Sequence, residues 1–235
     1  MVQIPGYDLL DKIGEGGMGV VYRARPRGRQ DVVAVKLIPT PPDGSAPGAA
    51  GEPYPFGSLS HPHVVAIHDG GTVGGTTYLV MEHVAGTCLR PLMRPREPWP
   101  PARALPLLDA IASGLSYLHG RGLLHLDLKP ENVLLGPGGQ VKITDFAPAA
   151  AQAGVRSLAA LGARQGSLDY CPPEQRFGLP VDARADLFSL ATLAYELLTG
   201  RLPGRVYVPV ARPNPALPAA VDGVLRRGLA RYAEE

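Results

Sequence analysis

The chain changes texture about a third of the way along, and that change limits what it can fold into. From residue 7 to about residue 81 the apolar residues come in short runs, at 7–13, 20–25, 32–38, 64–68 and 78–81. Gly and Pro punctuate the runs, and several are rich in Val and Ile, which predicts strands. Residues 39–60 are mostly Pro, Gly, Ala and Ser, a loop composition. From Pro101 onward the spacing becomes helical. Leu105, Leu108, Ile111, Ala112, Leu115 and Leu118 recur every three or four residues, which predicts a helix burying that face. Residues 187–198 predict a second helix, ended by Gly200, and 221–231 a shorter third. Strand-like segments at 133–135 and 141–143 lie between the first two helices, followed by an Ala/Gly-rich stretch at 147–172. The outline is α+β: a small β-rich lobe joined near residues 82–86 to a larger, mainly helical one.

A chain of 235 residues can bury a core without disulfides or metals. With 23 Lys+Arg against 21 Asp+Glu, it lacks the basic excess of a non-specific nucleic-acid binder. The two cysteines, Cys88 and Cys171, are too far apart for a C-x-x-C pair, and no disulfide framework is expected. The first residues carry no basic and apolar leader pattern, and no apolar run reaches spanning length, so no membrane span and a cytoplasmic location are the expectation.

Chemistry-bearing residues cluster in a few short motifs. Gly14, Gly16 and Gly19 give G-x-G-x-x-G, with Gly17 inside it. Glycine backbone can approach phosphate oxygens and offer N–H donors. The pattern alone also fits a dinucleotide site or a plain hairpin. A dinucleotide site needs a helix next, whereas Val20-Val21-Tyr22 reads as strand, so the loop would cover a nucleotide as a lid. One strand later, Val33-Ala34-Val35-Lys36 would aim an ammonium under that lid. His125-Leu126-Asp127-Leu128-Lys129-Pro130-Glu131-Asn132 places a carboxylate, an ammonium and an amide around one turn. Asp127 can meet an attacking hydroxyl, Lys129 a transferred phosphate and Asn132 a metal. Asp145 ends a short apolar strand, where a carboxylate can bind Mg²⁺.

The order of these motifs, followed by Gly166-Ser167-Leu168-Asp169-Tyr170-Cys171-Pro172-Pro173-Glu174 and Asp186-Leu187-Phe188-Ser189-Leu190, resembles the protein kinases, and most of all the eukaryotic-like Ser/Thr kinases of bacteria. The resemblance runs from about residue 7 to residue 231. It implies one bilobal domain over 1–235, with an N-lobe to about 81, a hinge at about 82–86 and a C-lobe beyond. It implies ATP and Mg²⁺ as cofactors. The glycine loop and Val21 would cover ATP, and Ala34 would lie against adenine. Met81 would be the gatekeeper, and Glu82 and Val84 the hinge whose backbone bonds adenine. Lys36 would hold the α- and β-phosphates, Asp127 would be the catalytic base, Lys129 would stabilise the transferred group, and Asn132 and Asp145 would hold magnesium. His125, Phe146, Ser167, Glu174 and Asp186 would be structural or regulatory. Lys129 and Ser167 resemble Ser/Thr rather than Tyr kinases.

Four departures qualify this expectation. Glu52, which would pair with Lys36, and Phe56, which would join the hydrophobic spine, sit among Pro53, Pro55 and several glycines, so at most a turn of the usual helix is expected there. Leu126 replaces the Arg that normally receives an activation-loop phosphate, and residues 146–173 contain no Thr, so activity is expected not to depend on phosphorylation of that loop. Ala147 replaces the Gly of D-F-G, which should restrict the flip of this segment. About twenty residues separate Gly200 from Val221 and include five prolines, so the helix that docks substrates there is expected to be missing; the Arg that would pair with Glu174 is expected beyond residue 235.

The expected function is ATP- and Mg-dependent phosphorylation of Ser/Thr hydroxyls on protein substrates. Its alternatives are a nucleotide-binding pseudokinase acting as scaffold or allosteric partner, and a small-molecule phosphotransferase of the same fold. Protein substrates or a soluble regulatory protein are the expected partners, with no nucleic acid. His61 and His63 fit a turn better than a metal site.

Overall fold

A computed structural model describes residues 2–16, 19–39, 59–146, 165–204 and 206–230. Five antiparallel strands form the first sheet: β1 (Tyr7–Gly16), β2 (Gly19–Pro26), β3 (Val33–Pro39), β4 (Ile67–Val73) and β5 (Thr76–Glu82), in the order β1-β2-β3-β5-β4. Alternation along β3 sorts its residues by face. Val33 and Val35 join Ile4, Ala24, Tyr78 and Val80 in one apolar cluster. Ala34 turns the other way and meets Met81 and Val65. Lys36 shares the parity of Ala34, and with it lies opposite Met81 and Leu79 of β5, so the buried ammonium stem lies on the face turned toward the second lobe.

The fourth strand starts later than the sequence suggests. Val64 and Val65 do not join β4, because their stretch bonds across to the larger lobe: Val65 N–H donates to Ile143 O at 2.9 Å, and Ile143 N–H to His63 O at 2.9 Å. Ile143 belongs to a second sheet, β6-β7-β8, formed by Thr87–Cys88, Val133–Leu135 and Val141–Ile143. This seam sets the small lobe on the large one.

Helix α1 (Pro101–His119) starts with Pro at its first position, where a missing N–H costs nothing. Its buried stripe is Ala104, Leu107, Ile111, Leu115 and Leu118, with Ala110 and Gly114 beside it. The sequence reading began the stripe one residue late, for Leu105 is half exposed. Four turns of helix need about 14.4 residues, so Leu118 aligns with Ala104 and drifts off Leu105. Helix α2 is the single turn Pro173–Arg176. Helix α3 (Ala183–Thr199) is capped by Asp182, whose carboxylate accepts from Arg184 N–H at 2.8 Å, and is buried on nearly all sides. It ends, as its sequence predicts, at Gly200: φ is +68°, and a Cβ there would lie 2.6 Å from the Glu97 nitrogen. Trp99 is buried, and the Arg103 guanidinium lies 3.5 Å from the centroid of its ring.

Among the described residues between α3 and helix α4 (Ala220–Gly228) there is no helix, in line with the shortened segment expected there. This stretch is nonetheless fixed. Asn214 Nδ2 donates to Leu198 O at 3.0 Å, Tyr195 OH to Val208 O at 2.9 Å, and Val210 N–H to the Asp222 carboxylate at 2.7 Å. Among the described residues no helix is long and apolar enough to cross a membrane.

Candidate active site

Where the lobes meet there is an apolar group of side chains and a charged group. Ala34, Val65 and Met81 form the apolar part, with Val21, Leu79, Val84 and Leu134 packed around them. Apolar side chains gathered from β2, β3, β5, the connecting segment and β7 suit contact with an aromatic ring system. Leu134 completes this set from the opposite lobe. The sequence reading missed it, because one leucine in a three-residue strand carries no signal of where that strand lies. Of the loop glycines, Gly19 is the one its backbone demands: φ is +132°, and a Cβ would sit 2.0 Å from Leu37 O. Gly14 and Gly16 are in the hairpin strand with room for a side chain, and Gly17 lies outside the described residues.

Lys36 Nζ stands 2.9 Å from an Asp145 carboxylate oxygen, with the lysine side chain 8% exposed and the aspartate 26%. The expected partner Glu52, like Phe56 and Ala147, lies outside the described residues. Asp145 adopts φ +63°, a left-handed backbone that a non-glycine holds only where its surroundings fix it. Phe146 is buried in the main core, its ring edge-on to His125 with centroids 6.5 Å apart.

The turn at residues 125–132 is internally bonded. Lys129 Nζ donates to both Asp127 carboxylate oxygens, at 2.8 and 2.7 Å. Asn132 Nδ2 donates to the Asp127 carbonyl at 2.8 Å and to its carboxylate at 3.0 Å. The Asn132 carbonyl in turn accepts from Thr144 N–H at 3.0 Å. One chain of contacts thus runs from Lys36 through Asp145, its neighbour Thr144, and Asn132 to Asp127 and Lys129.

This turn rests on buried polar anchors. Asp186, with no exposed surface, accepts the N–H groups of His125 and Leu126 at 2.8 and 2.7 Å and lies 2.8 Å from His119 Nε2. Burial pushes the His125 imidazole below the usual histidine range, against the pull of Asp186 and Asp127. Leu126 is buried against Ala185, Leu124 and Val181, so an apolar plug fills the place where an arginine was expected by resemblance.

Two further charged clusters were not foreseen. Arg90 donates to Glu131 and Glu196, each at 3.0 Å, and to Tyr170 OH, which itself donates to Glu196. Burial and then Glu196 raise the Tyr170 pKa, so the phenol stays protonated. Lys142, buried in β8, reaches Glu82 at 2.9 Å and the Val64 carbonyl at 3.1 Å. A lysine between Val and Ile in a short strand reads as an outward residue, and only the lobe packing shows otherwise. Residues 165–170 form a 3-10 turn; the side chain of Ser167 within it lies outside the described residues. Glu174 sits in the first turn of α2. His61 stacks on Tyr117 at 4.7 Å and His63 Nδ1 lies 2.9 Å from Val141 O, packing roles that suit the turn reading.

Among the described residues no group of three or more His, Cys, Asp or Glu could hold a metal unaided. Asp145 and Asn132 offer a carboxylate and an amide oxygen, hard donors that suit magnesium when phosphate oxygens and water complete its shell.

The chain matches the family model of the protein kinase domain over residues 7–207. It is 35% identical over 251 residues to the serine/threonine-protein kinase PknD of Mycobacterium tuberculosis, covering 99% of this chain and 38% of that one. It is 34% identical over 250 residues to PknE of Mycobacterium bovis, covering 99% and 44%, and 38% identical over 209 residues to pkn2 of Myxococcus xanthus, covering 84% and 25%. The chain therefore spans less than half the length of these curated relatives.

Proposed function

The chain belongs to the protein kinase family, in its bacterial eukaryotic-like branch, and from that premise we propose that it transfers the γ-phosphoryl group of ATP to Ser/Thr hydroxyls of protein substrates. The observation that carries this reading is the contact chain from Lys36 to Lys129, which gathers two ammonium groups, two carboxylates and an amide where the two lobes meet. We assign residues 1–81 to the N-lobe, 82–86 to the hinge and 87–235 to the C-lobe of a single domain.

Adenine would lie between Ala34 and Leu134, beside Met81, with hinge backbone at Glu82 and Val84 as its polar partners. Lys36 would leave Asp145 for the more highly charged α- and β-phosphate oxygens. Asp145 and Asn132 would then hold magnesium, which neutralises phosphate charge and aligns the γ-group. Asp127 would accept the hydrogen bond of the substrate hydroxyl and take its proton on a carboxylate oxygen. Lys129, already at that carboxylate, would donate to the transferred group. Catalysis is then positioning plus charge neutralisation. The apolar plug at Leu126 supports independence from loop phosphorylation: phosphatase treatment should leave activity intact. The scaffold alternative is not favoured, because Lys36, Asp127, Asn132 and Asp145 are all present and the relatives are serine/threonine-protein kinases. The free thiols of Cys88 and Cys171 and the need for ATP support a cytoplasmic setting.

The test is transfer of label from [γ-³²P]ATP to protein by the wild type, Asp127→Asn and Lys36→Ala. Label that both variants lose supports the proposal. ATP binding without transfer to any protein contradicts it, and transfer to metabolites alone favours the small-molecule alternative.

A further inference from the structure

The residue before the catalytic aspartate is held in an unfavourable backbone. Leu126 has φ +59°, a region that costs a branched side chain about 1–2 kcal/mol. Such a conformation persists only where neighbours over-determine it. Its N–H goes to Asp186 at 2.7 Å, and its side chain is buried against Ala185 and Val181. The third restraint comes from another element. Gln175, at 1% exposure in α2, donates its Nε2 to Leu126 O at 2.8 Å. The other end of that amide, Oε1, is buried without a hydrogen-bond partner among the described residues. A buried amide that leaves one end unsatisfied is a net burden on stability, so its retained contact is the donor to Leu126.

We infer that Gln175 is a positioning residue for phosphoryl transfer: it locks the Leu126 carbonyl, fixes the left-handed turn, and so aims the Asp127 carboxylate at the substrate hydroxyl. The inference deepens the phosphoryl-transfer reading and rests on it for its kinetic part. Among the described residues the Gln175 side chain hydrogen-bonds Leu126 and neither Lys36 nor the apolar group around Ala34, so its loss acts on the chemical step and not on nucleotide affinity.

Gln175→Met keeps the volume, removes the donor and also removes the unsatisfied Oε1. Gln175→Glu keeps the shape and replaces the donor by an acceptor facing a carbonyl. In the full chain both variants should lower kcat about tenfold or more, with KM for ATP held within about twofold, because small misplacement of a reacting group costs that much. Thermal melting of Gln175→Met should stay near the wild type. Amide hydrogen exchange across residues 124–132 should rise in Gln175→Met while exchange across α1 does not. A kcat within about twofold of wild type in Gln175→Met, or a kcat loss matched by a general loss of melting temperature, overturns the inference. If the wild type transfers no phosphate, the function reading fails, and hydrogen exchange still decides whether Gln175 fixes this turn: unchanged exchange at 124–132 overturns it.

Discussion

Two clusters of paired charge, one on Lys36 and one on Arg90, are built differently. Lys36 and Asp145 form a pair across the lobes, from β3 to the segment after β8. Arg90 spreads its guanidinium over Glu131, Glu196 and Tyr170, which come from the catalytic turn, α3 and the 165–170 turn. Burial alone would mislead about which is permanent. The lysine is the more deeply buried cation, at 8% side-chain exposure against 35% for Arg90. A single ammonium–carboxylate contact barely offsets the desolvation of its charges, so it can be exchanged for phosphates and a cation. A planar guanidinium with acceptors on three elements cannot leave one without disturbing the others. On the proposed function, the first cluster would serve the reaction and the second the scaffold.

The largest effect expected from this contrast is catalytic. Asp145→Asn keeps an oxygen near Lys36 but removes the charge that would hold magnesium, and transfer should fall by about 10³ or more, read by radiolabel incorporation, with melting close to the wild type. Arg90→Ala should do the reverse. It takes the cation from the partly buried Glu196, which keeps Tyr170 OH, and from the exposed Glu131, and should cost about 1–2 kcal/mol, read by urea denaturation, with kcat per folded molecule kept within about threefold. If Asp145→Asn destabilised as much as Arg90→Ala, the contrast would fail. Lys36→Met should be smaller still in stability, within about 1 kcal/mol, because it removes a buried charge and leaves Asp145 able to meet water; its ATP affinity should nonetheless drop.

A pH effect sharpens the scaffold side. His125 is buried and its pKa is lowered from 6.5, so the unfolded chain takes up a proton at a pH where the folded one does not. Stability that is present above pH 6.5 should therefore be lost as pH falls below that value. Denaturation midpoints between pH 8 and pH 5 check this, and a midpoint that rises on acidification contradicts the burial of neutral His125.

Strands β1 to β5, β7 and β8, helices α3 and α4, and the turn at 125–132 could be read from the chain because each is encoded locally, in alternation, in a cap or in a tight motif. Asp182 and Gly200 mark the two ends of α3 by chemistry that needs no tertiary context. What escaped depends on which segments meet. The phase of α1 was misjudged because leucines at 105 and 108 outweighed the small Ala104 that the packing selects. The partner of Lys36, the Glu82 contact of Lys142 and the Gln175 bond to Leu126 each join residues far apart in sequence. The apolar nature of position 126 was visible; that its carbonyl and N–H are each claimed by a buried side chain was not.

The account depends most on an adenine nucleotide entering the crevice and parting Lys36 from Asp145 with a divalent ion. Isothermal titration calorimetry of ATP into the protein, with and without magnesium, tests this most directly. The account predicts saturable binding with magnesium, weakened in both Lys36→Met and Asp145→Asn. Absence of any heat of binding at millimolar nucleotide with magnesium, or binding indifferent to both substitutions, would contradict it.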